Sequence, residues 1–147
     1  MYQRILVPTD GSALSKKAVK SAVELAASLG AELVAVNVVP RYPRSYFEGG
    51  LAVSTTEVAR VEKQWTEHGQ VLADEVGKAA EKAGVRARAV TVRSDLVAEA
   101  ILSAARKYKC DLIVMASHGR KGIKRLLLGS ETQHVLTHGN IPVLVLR

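Results

Sequence analysis

The sequence predicts a single-domain α/β fold on an open parallel sheet, and three observations carry that expectation. Short Ile/Leu/Val-rich runs recur at Arg4–Thr9, Ala31–Val39, Asp111–Ala116 and Ile141–Leu146. They are too uniformly apolar for strands with one wet face and suit burial on both faces, as in a parallel sheet. Between them lie stretches whose apolar residues recur at steps of three and four, the spacing of an amphipathic helix. Strand alternating with helix implies right-handed βαβ crossovers and a sheet covered by helices on both sides. At 147 residues, 48% of them apolar and 24% charged, the chain suits one domain spanning residues 1–147 and excludes a disordered or low-complexity protein.

The first strand, Arg4–Thr9, is broken by Asp10-Gly11-Ser12. Ala18, Ala22, Leu25 and Leu29 then form a helical stripe closed by Gly30, which suits the left-handed residue that ends many helices. The second strand, Ala31–Val39, ends at Pro40. Residues 40–53, with Tyr42, Tyr46, Phe47, Gly49 and Gly50, read as a long loop. Ser54-Thr55-Thr56-Glu57 has capping-box spacing, and Val58, Val61, Trp65, Leu72, Val76 and Ala79 continue one apolar face to about Ala83. Gly69 and Gly77 each weaken that helix by roughly 1 kcal/mol relative to alanine, so packing on the sheet must hold it. The third strand, Val85–Arg93, exposes Arg86 and Arg88, as an edge or near-edge strand would. Ser94-Asp95 offers a cap for a helix with Val97, Ala100, Ile101, Ala104, Ala105 and Tyr108 on one face. After the fourth strand, Asp111–Ala116, residues 117–129 are polar, basic and punctuated by glycine. Ser130–His138 reads as a short helix with Gly139 beyond it, and Ile141–Leu146 as the fifth strand.

Several function classes drop out. One cysteine, Cys110, forms no internal disulfide and no CxxC or zinc-ribbon site. No apolar run exceeds six residues, against about 20 for a spanning helix. The amino terminus has no charged leader and long apolar stretch, so a cytoplasmic protein is expected. The net charge is +7, and residues 117–147 concentrate it, with five Lys/Arg against one Glu. No aromatic stacking platform or recognition-helix pattern accompanies the charge, so a specific nucleic-acid reader is not expected.

In an open parallel sheet, ligands bind beyond the carboxyl ends of the strands where strand order reverses. Two turns are equipped for this. One is Pro8-Thr9-Asp10-Gly11-Ser12. The other runs from Ala116-Ser117-His118-Gly119 through Arg120, Lys121, Lys124 and Arg125 to Gly129-Ser130 and a helix start. Helix N-termini present unpaired N–H donors and a positive dipole end, and glycine admits an anion close to the backbone. Four cations within positions 120–125 fit a triphosphate, while Asp10 supplies an acceptor for a ribose hydroxyl. There is no GxxxxGK[ST] and no GxGxxG after the first strand, so fast phosphoryl transfer is not expected. No catalytic residue and no metal ligand is assigned.

With these residues the chain resembles the universal stress proteins nearly end to end. The ATP-binding members carry Gly-x2-Gly-x9-Gly-Ser/Thr after the fourth strand. Here that register falls on Ala116-x2-Gly119-x9-Gly129-Ser130, with alanine at its first position. Ile5-Leu6-Val7-Pro8-Thr9-Asp10, Ser117-His118-Gly119 and Ile141-Pro142-Val143-Leu144-Val145 also look like the family. The resemblance implies a five-stranded parallel sheet of order 3-2-1-4-5, Rossmann-like and of the adenine nucleotide alpha hydrolase-like type. It also implies a homodimer paired through the last strand and a stress-response role. ATP, with or without Mg or Mn, would sit between the turns after strands one and four. By motif position Pro8, Thr9 and Asp10 would contact adenine and ribose, Val38 would wall the base, and Met115 and Ala116 would flank the sugar. Gly119, Arg120, Gly129 and Ser130 would hold the phosphates, with Glu131 beside them.

Several residues admit two readings. Ser130-Glu131-Thr132-Gln133 is itself a capping box, so Ser130 either caps its helix or also meets a phosphate. Asp10 is either a turn residue competing with Ser12 for a cap or a ligand contact. His118 either bonds within its own loop or meets a phosphate, with the loop bond favoured. Tyr42, Tyr46 and Phe47 either cover a base or pack the loop. His134 and His138, four apart, lack the Glu of HExxH and a third ligand. Two functions from different classes follow: a nucleotide-binding stress module, and a nucleotide-independent dimeric interaction protein of the same fold, which Ala116 favours. The protein partner is not legible.

Overall fold

A computed structural model describes residues 1–43, 54–119 and 128–147. In order, the elements are β1 (Arg4–Pro8), α1 (Ala13–Leu29), β2 (Glu32–Val39), α2 (Thr55–Lys82), β3 (Ala87–Arg93), α3 (Val97–Lys107), β4 (Leu112–Ala116), α4 (Ser130–His138) and β5 (Val143–Leu146). The five strands form one sheet of order β3-β2-β1-β4-β5, every neighbouring pair parallel. Strand order therefore reverses between β1 and β4, which places the exits of these two strands side by side.

Alternation along each strand sends side chains to two cores. On one face Ile5, Val7, Leu33, Ala35, Leu112 and Val114 pack against α1 and α2 through Ala22, Val23, Ala26, Val76 and Ala80. On the other, Leu6, Val34, Val36, Ile113 and Met115 pack against α3 and α4 through Ile101, Leu102, Ala105 and Val135. The continuous apolar runs of β1, β2 and β4 follow from this double coverage. No helix among the described residues is long and apolar enough to cross a membrane.

The helix ends agree with local chemistry where the cap lies beside the helix. Ser12 accepts the Ser15 N–H at 3.2 Å and Ser54 accepts that of Glu57 at 3.2 Å, and each such cap contributes about 1 kcal/mol. Gly30 closes α1 at φ 65°, where a side chain would be strained. Elsewhere the details differ. Ser94 and Asp95 do not cap α3: its N-cap is Leu96, without a side-chain bond. Ser94 Oγ instead accepts the Leu96 N–H at 3.0 Å, and Asp95 Oδ1 accepts that of Arg41 at 2.9 Å. Gly129, not Ser130, is the N-cap of α4, and its own N–H donates to Ser117 O at 2.7 Å. Gly139 has φ −101°, so close packing, not a left-handed backbone, excludes a side chain there; a Cβ would stand 2.6 Å from Leu102 Cδ2. The third strand starts two residues later than the sequence suggests. The fifth begins at Val143, since Pro142 has no N–H to pair although its carbonyl accepts from Ile113 at 2.9 Å.

Candidate functional site

At the exit of β1, Thr9 is buried and tied on three sides. Its N–H donates to Val36 O at 2.8 Å, its carbonyl accepts from Asn37 Nδ2 at 2.8 Å, and its hydroxyl accepts from Ser15 Oγ at 3.2 Å. Asp10 follows in an Asx turn: Oδ1 accepts the Ser12 N–H at 2.8 Å, and the Asp10 N–H donates to Ser15 Oγ at 3.2 Å. Gly11 makes the turn possible at φ 79°. The carboxylate thus stands fixed at the mouth of the sheet, on a loop anchored to both β2 and α1.

The exit of β4 is fastened as firmly. Ser117 donates its N–H to Leu146 O at 2.7 Å, and its carbonyl accepts from Gly129 N at 2.7 Å. Thr132 Oγ1 donates to Ala116 O at 2.8 Å. These bonds draw the start of α4, with its positive dipole end, back over the last residues of β4. The glycines fit tight places. A Cβ on Gly129 would lie 2.9 Å from Ser117 O and 3.0 Å from His118 Cα, and one on Gly119 would lie 2.6 Å from Asp10 Oδ2. The second distance matters most, because it measures how closely the two exits approach: any side chain on the β4 turn at this position would meet the carboxylate of the β1 turn. Acceptor, glycine backbone and helix N-terminus thus stand together at the adjacent exits of β1 and β4.

The described residues divide as follows. Pro8, Thr9, Asp10, Ala116, Gly119, Gly129 and Ser130 lie at the ends of β1 and β4, in the turns that follow them or at the start of α4. Ser130 occupies the first turn of α4 and its hydroxyl makes no hydrogen bond among the described residues. Val38 is half-buried against the second core, and Met115 is 6% exposed within it. Glu131 turns away from the crevice: its Oε2 accepts the Ala98 N–H at 3.1 Å and so serves the start of α3. His118 Nδ1 lies 3.3 Å from Ser117 Oγ, a bond within its own loop. Tyr42 stacks on Trp65 with ring centroids 6.0 Å apart, which ties residue 42 to α2. His134 Nε2 is paired with Glu99 Oε1 at 2.7 Å. Arg120, Lys121, Lys124, Arg125, Tyr46 and Phe47 lie outside the described residues.

Sequence reading passed over Asn37, Ser15 and Thr132. Asn37 had a visible signal, as the one polar residue within Leu33–Val39. Ser15 and Thr132 had none, since a hydroxyl on a helix becomes a tether only once strand ends are placed beside it.

The family model for the universal stress protein family matches residues 1–147. Over 147 residues the chain is 36% identical to universal stress protein MJ0531 of Methanocaldococcus jannaschii, covering 100% of this chain and 83% of that protein. Among solved structures, MJ0577 of the same organism superposes with a TM-score of 0.81 at 26% identity, over 99% of this chain and 96% of that one. A universal stress protein solved in complex with cAMP superposes with a TM-score of 0.67 at 27% identity, over 99% of this chain and 97% of that one. With its whole length matched and its fold shared, the chain belongs to the universal stress protein family.

Proposed function

We propose that this universal stress protein binds an adenine nucleotide, ATP foremost and with or without Mg or Mn, in the crevice between the exits of β1 and β4, and acts as a homodimeric cytoplasmic stress-response module. The supporting observation is the approach of Gly119 to the Asp10 carboxylate, with the start of α4 drawn over the same turn. A fixed carboxylate suits a ribose hydroxyl, while helix N–H groups and a glycine turn suit phosphates. The basic residues at 120–125 supply the charge that would favour three phosphates over one. The related structure bound to cAMP makes an adenine ligand a reasonable starting point. Ligand binding would change the loops at 40–53 and 117–129 and with them the surface offered to a protein partner. Neither a positioned base nor a carboxylate pair for a metal stands at the crevice among the described residues, so turnover of ATP is expected to be slow.

Calorimetric titration with ATP, AMP and cAMP tests this reading. Saturable heat is expected with ATP, weaker with AMP, and Asp10→Ala should lower ATP affinity about tenfold, near 1.4 kcal/mol. Absence of heat at millimolar ATP removes the proposal. Alanine at position 116, where the ATP-binding motif has glycine, favours the second reading, a nucleotide-independent interaction protein. Acid extraction of freshly purified protein separates the two, because a released adenine nucleotide contradicts the second.

A further inference from the structure

The opposite end of the sheet carries a feature that nucleotide binding does not use. Where β1, β2 and β3 begin and α3 ends, a cavity of about 620 Å3 opens to solvent, within the range of small-molecule sites, about 300 to 1,000 Å3. Arg4, Arg86, Arg88, Lys107 and Lys109 border it, with Glu32 as the one carboxylate among the described residues that line it. Glu32 is already engaged: Arg4 reaches it through Nε at 2.9 Å and Nη2 at 2.8 Å, and Arg86 stands 3.4 Å away. The Arg4 contact is the main cause that holds its carboxyl below the usual range. Arg4 is further fixed by donating Nη1 to Tyr108 O at 2.6 Å.

Arg4 and Arg86 therefore share the one carboxylate, which leaves the lining with a surplus of positive charge. Arg88 Cζ and Lys107 Nζ lie 5.2 and 5.4 Å from the Tyr108 ring centroid, contacts that hold both heads beside the cavity. A base stacking on the ring would have to compete with these contacts. The negative end of the α3 dipole accounts for Lys107, but Arg88 comes from β3 and Arg86 directly precedes it. Lys109 has φ 56°, so a lysine stands where glycine would sit without strain. Among the described residues, Arg88, Lys107 and Lys109 form no ion pair.

We propose that this cavity is a second anion site, taking a compact ligand of clustered phosphoryl groups without a base, such as an inorganic oligophosphate or a multiply phosphorylated sugar. Its volume suits a small molecule, its charge suits several phosphates, and the guanidinium groups can meet phosphate oxygens in pairs. It lies at the other end of the strands from Asp10 and Gly119 and stands independently of ATP binding.

The test is a 15N–1H NMR titration of the whole chain with inorganic tripolyphosphate at about 0.1 M NaCl, where long-range attraction is largely screened. Saturable shifts are expected at the amides of Ala87, Arg88, Tyr108 and Lys109. The double variant Arg88→Gln, Lys107→Gln should weaken them at least about tenfold, a loss near 1.4 kcal/mol. Lys109→Gly should weaken binding about threefold while leaving the melting temperature unchanged or higher, since glycine accepts the backbone angle. Shifts confined to Gly119 and Ser130, linear shifts without saturation, or unchanged affinity in the variants would overturn the proposal. An ATP arm identifies the source of the phosphates: stronger binding of ATP than of tripolyphosphate at Ala87 and Lys109 would overturn a base-free ligand. Failure of ATP to shift Gly119 would instead count against the nucleotide crevice.

Discussion

Gly69 and Gly77 look alike in the sequence, two glycines inside one helix, yet their surroundings differ. A Cβ on Gly69 would collide with Asn37 Oδ1 and stand 2.7 Å from Val39 Cγ2, whereas one on Gly77 would meet Ala89 Cβ at 3.8 Å. The same substitution should therefore have opposite signs. Gly77→Ala gains roughly 1 kcal/mol of helix propensity with no clash. Gly69→Ala gains the same but overpacks at a cost of about 1 to 3 kcal/mol, and it presses on the Asn37 side chain that holds the Thr9 carbonyl at 2.8 Å. Urea unfolding should rank Gly77→Ala above the parent protein and Gly69→Ala below it; equal midpoints for all three would refute this account of α2. The lone thiol provides a second residue-scale expectation. Cys110 is 6% exposed, and burial pushes its pKa from 9.0 up to about 11. A folded pKa above the unfolded one gives stability that is complete below pH about 9 and is lost as pH rises toward about 11. A thiol reagent at pH 8 should label the folded protein far more slowly than the protein in urea, because little thiolate is present and little of it is reachable. Equal rates would show that the thiol is not enclosed.

Helices and strands were legible because their periods are local, and the caps at Ser12 and Ser54 were legible because a cap sits three residues from its N–H. The start of α3 was not, because its missing cap comes from Glu131, 33 residues beyond the Ala98 N–H it accepts. This carboxylate joins the first turns of two helices, and its charge faces the positive end of α3. Glu131→Gln preserves the shape and removes the charge. Stability should fall by about 0.5 to 1 kcal/mol, and hydrogen exchange should quicken at Ala98 while the amides of α1 remain protected. An unchanged Ala98 rate would mean that the contact contributes nothing. The motif reading placed Glu131 beside the phosphates and did not reveal its bond to α3, since neighbouring positions in a motif say nothing of side-chain direction. Asp10, Gly119 and Gly129 were legible for the complementary reason: turn chemistry and glycine placement are written locally, and parallel order brings the two turns together.

An open sheet has two edges, and this molecule treats them differently. Just before β3 the Arg86 carbonyl accepts from Leu33 at 2.9 Å, so by alternation Ala89 and Thr91 direct their backbone groups outward. Helix α2 covers that edge: Gln70 Nε2 donates to Ala89 O at 3.2 Å, the Thr91 hydroxyl donates to Gln70 Oε1 at 3.0 Å, and Arg93 pairs with Glu62 at 2.9 Å. The edge is thus closed to another strand. At the other side the Pro142 and Leu146 carbonyls accept from β4, which leaves Val143 and Val145 directed outward, beside a Leu144 that is 42% exposed. No described residue covers this edge, and the homodimer expected through the last strand would cover it. The Val145→Pro variant discriminates, because it removes an outward N–H without touching the inward ladder to β4. If the dimer pairs through β5, sedimentation should find a dimer for the parent protein and a monomer for the variant, with helical circular dichroism retained. A variant that remains dimeric would place the contact elsewhere, and a monomeric parent would leave the β5 edge to a different protein.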